Sequence, residues 1–472
     1  MPRIAIVGAG IAGLNAALTL QDAGLSCSIY EASNRIGGRM HSDTIAWEDG
    51  MVSEWCGEFI DGDHETLHRL IRRFGLKTVD LGQGRSDRTQ SIMYFSNRYY
   101  SAEELDSGFQ ALAPLLQQQV QEAGFPTTHA HFTQEGYRLD HLSVYEWIEQ
   151  YVEGGHAAPL GHLLNNGCSG YFGLDTGEQS SLNLIYMFGS HKPSKGSTAP
   201  RPLQGSSKIV GGNQQLPLAI ARSLPEGCIH LRHQLVALAR NRDASLTLTF
   251  ATADGSSEVQ CDRAILTLPF STLRQVDYRQ AGFDPLKQVA IEQLGYGTIS
   301  KLCLQFDIPY WYQDGTWPHH HNGFIITDLD IQTLWDASIG QAGSSGLLVD
   351  YTSGHRGAAY APSTAYSTTA DSANVQQYAR NCLQQLERVF PGISAHYTGR
   401  AALSYPTGDP YLLGSYACWR VGQYTHFGGY EGMRQGPVHF AGEHCSVEFQ
   451  GFMEGGAREG ARAAREIVQD MN

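Results

Sequence analysis

The chain has 472 residues, of which 33 are Lys or Arg and 47 are Asp or Glu, so its formal net charge is −14. This length predicts two or three structural units rather than one core. The acidic balance argues against nucleic acid or an anionic membrane as the main partner. No apolar stretch of membrane-spanning length and no secretory signal is found, and the nine cysteines include no CxxC pair. We therefore expect a cytoplasmic protein.

The segment 3–33 reads as one βαβ unit. A short apolar strand runs into the GxGxxG sequence of Gly8, Gly10 and Gly13, a helical pattern follows, and a second strand ends at Glu31. In such a unit the first glycine makes the tight turn, the second lets backbone approach a pyrophosphate, and the third lets helix pack on strand. The helix N-terminus favours phosphates, and the carboxylate favours the ribose hydroxyls. The unit predicts dinucleotide binding, and the acid disfavours the 2′-phosphate of NADP.

A second glycine pair follows in "NRIGGRM", where Gly37 and Gly38 precede Arg39. A simple NAD dehydrogenase has no need of this loop. A second loop with a cation suits a longer cofactor, whose pyrophosphate and sugar chain run past it. The sequence therefore favours FAD over NAD.

The middle of the chain alternates helical and sheet-rich stretches. Residues 102–124 place apolar side chains on one face of a long helix, and 142–152 and 178–189 predict further helices. Residues 230–266 instead show strand patterns with a turn at "ADGS". The Pro-, Gly- and Ser-rich segment 191–208 predicts a loop or a crossing between domains. This order predicts a sheet-rich domain that a helical insertion interrupts.

Lys301 lies inside the apolar, strand-like run "GTISKLCLQF". A lysine that points into a core is costly unless it is paired or hydrated, so it is a functional candidate. The alternative is an edge-strand lysine that faces solvent. The neighbouring His319, His320 and His321 have no cysteine or carboxylate repeat nearby. They predict a solvated loop, and we predict no metal site.

The last helical pattern, within 451–464, contains Gly451, Gly455, Gly456 and Gly460. Each glycine inside a helix costs roughly 1 kcal/mol relative to alanine. So much glycine indicates that something packs closely against this helix.

Separated motifs run from one end of the chain to the other. They are "VGAGIAGLNAA", "YEAS", "RIGGRM", "SEWCGEFID", "KIVGGNQQLPLAIA", "AILTLPFSTL", "YGTISKLCLQFDIPYW", "GSYACWRVGQYTHFGG" and "VHFAGEHCSVEFQGFMEGGAREGARAA". In these motifs and their order, the chain resembles the flavin-containing amine oxidase superfamily, which has the monoamine oxidase-like fold. That group includes monoamine oxidases, polyamine oxidases and many L-amino acid oxidases. The last two motifs are most similar to bacterial-type FAD-dependent L-amino acid oxidases.

The resemblance implies an α/β fold. A discontinuous, Rossmann-like FAD-binding domain would combine residues 1–80, 205–285 and 395–472. An inserted substrate-binding domain, a mixed sheet plus helices, would combine 81–204 and 286–394. Dimers are common in this family, so a homodimer is one expectation for the assembly.

The cofactor implied by the resemblance is FAD. The residues expected to bind it are Gly8, Gly10, Ile11, Ala12, Gly13, Glu31, Ala32, Gly37, Gly38, Arg39, Gly57, Glu58, Phe59, Leu235, Gly442, Glu443, Gly451, Phe452 and Met453. Monoamine oxidases of the mammalian type attach FAD through a cysteine in the segment that matches 414–429. The only cysteine there is Cys418. The attachment position falls nearer Gly414, so we predict non-covalent FAD.

The resemblance also implies catalytic residues. Lys301 matches the family lysine that holds a water next to flavin N5 and assists oxidation. Phe452 matches a residue whose ring forms one wall beside the substrate amine. Trp335, and either Trp419 or Tyr416, would supply others, although each aromatic could instead be a core residue. The glycines of the tail helix would let its first turn approach the flavin.

The substrate depends on a carboxylate clamp. Many amino acid oxidases of this family carry an arginine where Ile60 stands here. Arg420 is a candidate replacement that would hold a carboxylate bidentately. Arg85 and Arg88 are weaker candidates. Each of the three could instead be an exposed structural arginine.

We predict an FAD-dependent oxidase of L-amino acids with large apolar or aromatic side chains. Hydride transfer from the α carbon to flavin N5, with oxygen as acceptor, would give a 2-oxo acid, ammonia and hydrogen peroxide. The main alternative is an oxidase of primary or secondary amines that lack a carboxylate. A monooxygenase that forms an amide, and a flavin-fold protein without oxidase chemistry, are further alternatives.

Overall fold

The structure, a computed structural model of the chain, describes residues 2–82, 90–189, 205–318 and 321–471. The α/β class implied by the resemblance is confirmed: one main sheet is parallel and the other is mixed. Among these residues, no helix combines the length and the apolarity that crossing a membrane requires.

The helices are α1 (Ile11–Asp22), α2 (Glu65–Arg73), α3 (Ala102–Ala123), α4 (Gln134–Asp140), α5 (Val144–Tyr151), α6 (Pro159–Phe172), α7 (Ser181–Gly189), α8 (Gln215–Ser223), α9 (Phe270–Leu273), α10 (Pro285–Gln293), α11 (Gly354–Ala358), α12 (Ala373–Val389), α13 (Gln423–Phe427) and α14 (Met453–Gln469). The strands are β1 (Ile4–Val7), β2 (Ser28–Tyr30), β3 (Ser42–Asp43), β4 (Ser53–Glu54), β5 (Thr78–Asp80), β6 (Gln90–Phe95), β7 (Arg98–Tyr100), β8 (Ser207–Ile209), β9 (Ile229–His230), β10 (Gln234–Arg240), β11 (Leu246–Thr252), β12 (Gly255–Cys261), β13 (Arg263–Leu266), β14 (Asp277–Gln280), β15 (Gly295–Tyr296), β16 (Ser300–Phe306), β17 (His321–Thr327), β18 (Thr333–Asp336), β19 (Gly346–Thr352), β20 (Tyr366–Thr368), β21 (Tyr397–Ser404), β22 (Ala417–Cys418) and β23 (Val438–Phe440).

β1 is the centre of a five-stranded parallel sheet in the order β23, β13, β1, β2, β9. Ile6 pairs with Ile265 on one side and Ile29 on the other, and all three are fully buried. Parallel sheets are covered on both faces, so their strands are apolar throughout. All five strands come from the three stretches that the resemblance assigns to the FAD-binding domain.

A second, eight-stranded sheet has the order β20, β21, β16, β19, β18, β17, β6, β7. The β17–β6 pair is parallel and the other pairs are antiparallel. Most of its strands come from the two stretches assigned to the substrate domain, but β21 comes from the third FAD-binding stretch. The division of the chain into five segments stays a prediction.

The helices expected from periodicity are confirmed as α3, α5 and α7. α3 begins with a capping box, in which Ser101 Oγ accepts from the Glu104 N–H at 3.2 Å and Glu104 Oε2 accepts from the Ser101 N–H at 2.8 Å. Its buried face includes Leu105 and Phe109. The expected hairpin at "ADGS" joins β11 to β12. Most of the expected loop 191–208 lies outside the described residues.

The glycines of the tail helix are explained by α1, against which α14 packs. A Cβ on Gly460 would lie 2.0 Å from the carbonyl oxygen of Ala12, and a Cβ on Gly456 would lie 3.1 Å from Ile11 Cγ2. Asn15 Nδ2 donates to the Ala457 carbonyl at 2.7 Å across the same contact. The expected close neighbour of α14 is therefore the first helix of the chain.

The expectation of a solvated histidine loop is wrong for His321. This residue is buried at the start of β17, and its Nε2 lies 2.7 Å from the Trp311 carbonyl oxygen. Pairing with Gln90 of β6 extends the sheet to this position. His319 and His320 lie outside the described residues. Within the described ranges, no group of three or more His, Cys, Asp or Glu side chains is arranged to hold a metal ion.

Asp350 of β19 is a fully buried carboxyl that makes stability depend on pH. The hydroxyls of Thr352 and Tyr360 donate to its Oδ2 at 3.3 and 3.4 Å, but burial raises its pKa to about 7. When folding raises the pKa of a carboxyl, ionising that carboxyl destabilises the folded state. The free energy of unfolding therefore falls as the pH rises from the pKa of the unfolded state to the pKa of the folded state. We expect Asp350→Asn to raise the free energy of unfolding by about 2 kcal/mol at pH 8, and by less as the pH falls toward 4.

Denaturant unfolding of both proteins at three pH values measures this difference. Asp254→Asn, at the exposed turn between β11 and β12, is the matched control and should change stability little. A gain from Asp350→Asn that grows toward acid pH would contradict the prediction.

Candidate active site

A cavity of about 1400 Å³ runs from the carboxyl ends of β1 and β2 to the eight-stranded sheet. Ligand pockets commonly measure about 300–1000 Å³, so this one has room for a large cofactor and a substrate together. We call the part next to β1 and β2 the cofactor limb. The substrate limb is the part lined by α3, α6, α7 and the eight-stranded sheet, through Ser91, Met93, Phe109, Leu163, Asn166, Gly167, Gly170, Tyr171, Met187, Phe188, Lys301, Phe324, Ile326, Thr333, Trp335, Tyr351, Tyr366 and Ser404.

Glycines of two loops form a narrow cradle in the cofactor limb. Gly8 adopts a φ of +106°, and a Cβ there would lie 2.3 Å from Thr267 Oγ1. A Cβ on Gly38 would lie 3.2 Å from the Cα of Gly10, so the two loops meet backbone to backbone. Side chains would fill this space, which fits the pyrophosphate of a dinucleotide. Gly13 does not line the cavity; its Cβ would lie 2.0 Å from the Gly8 oxygen, so it lets the helix pack on the strand.

Glu31 follows β2 beside this cradle. Its Oε2 accepts from the Ala9 N–H at 2.7 Å and its Oε1 accepts from the Ser33 N–H at 2.9 Å. These bonds orient the carboxylate, and each oxygen keeps a further lone pair for a ribose hydroxyl. Other expected cofactor residues that line the cavity are Ile11, Ala12, Ala32, Gly37, Gly57, Phe59, Leu235, Gly442 and Met453.

Glu443 joins three segments around the cofactor limb. Its Oε1 accepts from Arg39 Nη1 at 2.8 Å, and its Oε2 accepts from the Gly451 N–H at 2.8 Å. Arg39 Nη1 also donates to the Ser415 carbonyl at 2.9 Å. The side chains of the ion pair are only 24% and 6% exposed. This pair holds the turn before α14 in place, and Arg39 lines the cavity where a diphosphate would lie.

α14 begins at the cavity. Its first turn is capped by no side chain among the described residues, because the N-cap residue is Phe452. A helix N-terminus presents free N–H groups, and its dipole stabilises negative charge by up to ~2 kcal/mol. Gly451 has a φ of +86°, and a Cβ there would lie 3.3 Å from the Tyr416 ring. This turn fits the expected approach of the helix to a flavin.

Lys301 is buried on β16 and lines the substrate limb. Its Nζ donates to the Glu54 carbonyl at 2.7 Å, to the Cys56 carbonyl at 3.1 Å and to Glu58 Oε2 at 2.8 Å. The same Nζ lies 5.5 Å from the centre of the Trp335 ring. An ammonium has three N–H donors, so the protein takes up all of them. A water held by Lys301, as the resemblance implies, would have to replace one of these acceptors.

Glu58 is shared by two lysines. Its Oε1 lies 3.3 Å from Nζ of Lys208, which also donates to the Ala337 carbonyl at 3.0 Å. Burial raises the pKa of the Glu58 carboxyl, but the charges of Lys301 and Lys208 outweigh burial, so the pKa lies below its usual value. Asn213 Nδ2 donates to the Glu58 carbonyl at 2.8 Å and fixes the backbone there.

Aromatic rings surround the substrate limb in two groups. The Trp335 ring centre lies 5.1 Å from that of Tyr351, whose hydroxyl is 3.0 Å from the hydroxyl of Tyr416. The Phe452 ring centre lies 5.6 Å from that of Tyr171. Trp335 and Phe452 thus lie in the cavity wall as expected, and Tyr416 rather than Trp419 provides the other candidate wall.

The structure places Trp419 and Arg420 outside the lining of the cavity. Trp419 packs in the core against Tyr424 and Phe427. The side chain of Arg420 is 47% exposed and lies 3.4 Å from Glu178. The alternative interpretations therefore describe these two residues: Trp419 is a core aromatic and Arg420 is an exposed structural arginine.

The position at which relatives would carry the arginine offers no clamp either. Ile60 is fully buried, exchanges backbone hydrogen bonds with Ser207, and does not line the cavity. Arg85 and Arg88 lie outside the described residues. Cys418 is fully buried on β22 and does not line the cavity either.

Sequence reasoning missed Lys208, Tyr351 and Tyr171. Tyr351 lies opposite Lys301 in the β16–β19 pair, and only the antiparallel register brings the two together. The strand-like run "LLVDYT" could have predicted that Tyr351 lies on a strand. Lys208 opens the motif "KIVGG", but nothing local shows that its side chain reaches Glu58.

Comparison with known proteins points to one family. The model of the family described as flavin containing amine oxidoreductase matches residues 11–468. The chain is 26% identical to the putative L-amino-acid oxidase YobN of Bacillus subtilis, over 98% of this chain and 94% of that protein. It is 24% identical to the L-amino-acid oxidase of Pseudechis australis, over 98% and 86%.

Solved structures of two further proteins share the fold. Putrescine oxidase bound to putrescine superposes with a TM-score of 0.81 at 23% identity, over 99% of both chains. Cyclohexylamine oxidase from Brevibacterium oxydans superposes with a TM-score of 0.82 at 20% identity, over 100% of this chain and 99% of that one.

Proposed function

The chain belongs to the flavin containing amine oxidoreductase family, and from this premise we propose that it oxidises primary or secondary amines that carry a large apolar group and no neighbouring carboxylate. FAD would be bound non-covalently and oxygen would be the acceptor. The amine loses two electrons and two protons to become an imine, while oxygen takes them up and is reduced to hydrogen peroxide. Water then hydrolyses the imine to a carbonyl compound and releases ammonia, or a smaller amine when the substrate is a secondary amine.

One observation carries the choice of an amine over an amino acid. The cavity lining outside the substrate limb includes the carboxylates of Glu58, Asp61 and Asp63, and two arginines, Arg35 and Arg39, which donate to the Gly38 carbonyl and to Glu443. Among the described residues of α3, α6, α7 and the eight-stranded sheet that line the cavity, Lys301 is the only one with a charged side chain. Its three donors are already taken by Glu58 and two carbonyls. A substrate carboxylate would lose its hydration in this limb without gaining an available cation.

L-amino acids are the second candidate. The relatives named above from Bacillus subtilis and Pseudechis australis carry the names of L-amino-acid oxidases, at 26% and 24% identity. Arg85 and Arg88 lie outside the described residues, just before β6, whose Ser91 lines the limb. An arginine from that segment is the remaining source of a clamp.

When bound, FAD supplies the acceptor for the hydride equivalent that leaves the amine-bearing carbon. The residues of this chain bind and orient the amine. Trp335, Tyr416 and Phe452 provide apolar walls that exclude water from it. The positive charge of Lys301 beside the limb disfavours the ammonium form of a bound amine and so favours the neutral form that oxidation requires. The first turn of α14 offers N–H groups to negative charge on the cofactor.

Matched substrate pairs test the proposal, because each pair differs only by the carboxylate. We expect kcat/KM for 2-phenylethylamine and tryptamine to exceed that for L-phenylalanine and L-tryptophan by about 100-fold, since a desolvated, unpaired carboxylate costs several kcal/mol. Hydrogen peroxide release measures both members of each pair.

Equal or faster oxidation of the amino acids would overturn the proposal in favour of the second candidate. Flavin reduction by an amine under anaerobic conditions, followed by no peroxide in air, would instead contradict the oxidase assignment.

A further inference from the structure

Lys208 does not line the cavity, and the mechanism above does not use it. It is nevertheless one end of a buried charge cluster with Glu58 and Lys301. We propose that Lys208 is a positioning residue that sets the net charge beside the flavin, and thereby the reduction potential of bound FAD. The inference rests on the proposed function, because it takes the cavity to hold FAD.

The cluster is compact and buried. Glu58 Oε2 lies 2.8 Å from Nζ of Lys301, and Glu58 Oε1 lies 3.3 Å from Nζ of Lys208. The side chains of Glu58, Lys301 and Lys208 are 3%, 6% and 12% exposed. Charges that water does not screen act on one another, and on a neighbouring cofactor, over longer distances than surface charges do.

One side chain fixes both arms of the cluster. Asn213 Nδ2 donates to the Glu58 carbonyl at 2.8 Å, and Asn213 Oδ1 accepts from the N–H of Ile209, the residue after Lys208, at 3.0 Å. Lys208 also pairs with Val79 in the β5–β8 ladder. The backbones that carry the carboxylate and the second lysine are therefore held together, so the contact depends little on side-chain freedom.

The charges do not cancel. Two ammonium groups and one carboxylate leave one net positive charge, and Lys301 and Glu58 both line the cavity. A reduced flavin carries more negative charge than an oxidised one, so nearby positive charge stabilises the reduced form and raises the potential. Further titratable groups that interact with the cluster are Glu54, Cys56, Cys303 and Tyr351. Burial raises the pKa of Glu54 to about 7, and burial also raises the pKa of Cys303 and Tyr351.

The test is the midpoint potential of FAD in four proteins, reduced chemically in the presence of reference dyes at about pH 5.5. Burial raises the pKa of Glu54 to about 7, so this carboxyl stays protonated in each of them. Lys208→Met removes a positive charge and should make the potential more negative. At a fixed solution potential, the ratio of reduced to oxidised flavin should fall roughly tenfold. Glu58→Gln removes the negative charge and should shift the potential the other way. The double variant has the wild-type net charge and should return close to the wild-type potential.

Two controls separate charge from disturbed packing. Lys208→Arg keeps the charge and should keep the potential, and Lys77→Met removes the same charge from an exposed site next to β5 and should leave the potential unchanged. Disturbed packing would shift the midpoint potential of FAD in the same direction in Lys208→Met and in Glu58→Gln. Unfolding of the apoproteins, followed without FAD, reports that damage separately.

An unchanged potential in flavin-loaded Lys208→Met, or shifts of the same sign in Lys208→Met and Glu58→Gln, would overturn the inference. If Lys208→Met does not fold, Lys208→Gln replaces it. A midpoint potential of FAD in Glu58→Gln that is unchanged or more negative than in the wild type would by itself contradict the inference. The measurement uses no amine, so a wrong substrate assignment leaves its result intact. A wild-type protein that holds no flavin would instead sink the proposed function.

Discussion

Gly460→Ala is expected to lower the free energy of unfolding by about 3 kcal/mol, the upper range for overpacking a core. The added Cβ would lie 2.0 Å from the Ala12 carbonyl oxygen, which is backbone and cannot turn aside. α14 and α1 must therefore move apart, and the buried bond from Asn15 to the Ala457 carbonyl must lengthen. In an exposed helix the same change raises the free energy of unfolding by roughly 1 kcal/mol. A decrease instead of an increase would therefore indicate the close contact between the two helices.

The same change is expected to weaken FAD binding by roughly tenfold or more, because α1 carries the first turn of the cofactor limb. Denaturant unfolding of the apoprotein and flavin fluorescence titration measure the two effects separately. Gly177→Ala is the matched control, since a Cβ there meets no atom within 4 Å. A Gly460→Ala protein as stable as the wild type would show that the two helices do not pack this closely.

Lys301→Met is expected to destabilise the protein by about 3–5 kcal/mol, the cost of breaking a buried ion pair from one side. The variant leaves the Glu54 and Cys56 carbonyls without their donor and leaves Glu58 with Lys208 alone. We also expect oxidation of the reduced flavin by oxygen to slow by roughly 100-fold, since a positioned charge at the reacting centre contributes at this level. Stopped-flow absorbance measures this rate.

The loss of stability in Lys301→Met should depend on pH. Lys301 helps to hold the pKa of Glu58 below its usual value, so in the wild type this carboxylate stabilises the fold above the unfolded pKa and loses that contribution as the pH falls through the folded pKa. Without Lys301, burial pushes the pKa of Glu58 upward, and the ionised form becomes costly. The gap between variant and wild type should therefore be wider at pH 8 than at pH 5.5.

Glu58→Gln in the Lys301→Met background supplies the control, because it removes the stranded charge. We expect this double variant to recover part of the lost stability at pH 8 and little at acid pH. A Lys301→Met protein whose deficit is independent of pH, or which the second change does not rescue, would contradict the assigned ion pair. An unchanged rate of reaction with oxygen would remove Lys301 from the oxidative step.

Local patterns predicted the elements that position the cofactor limb. The glycines at positions 8, 10 and 13 shape one turn and the helix after it, and that geometry depends on a few neighbouring residues. The amphipathic pattern of α3 likewise needs only its own period and the capping box at Ser101. The resemblance in turn located Lys301, Trp335 and Phe452, all of which line the cavity.

Two expected site residues lie outside the cavity lining, because proximity along the chain does not fix where a side chain lies in the fold. Trp419 and Arg420 stand within a motif that borders the cavity at Tyr416. β22 ends at Cys418, and the carbonyl of Trp419 then accepts hydrogen bonds from the Ser180 N–H and the Asn183 amide, which hold the chain away from the cavity. Sequence spacing carries no record of such a turn.

Short-range spacing and backbone freedom were enough to predict the glycine cradle, the helical insertion that follows it and the glycine-rich helix at the end of the chain. The surroundings of the substrate limb depend on contacts between distant segments. Strand register sets Tyr351 opposite Lys301, and Glu58 and Lys208 meet across 150 residues of chain. Such contacts depend on how distant segments pack, so neither the position of Arg420 outside the cavity lining nor the charge cluster was evident from the sequence.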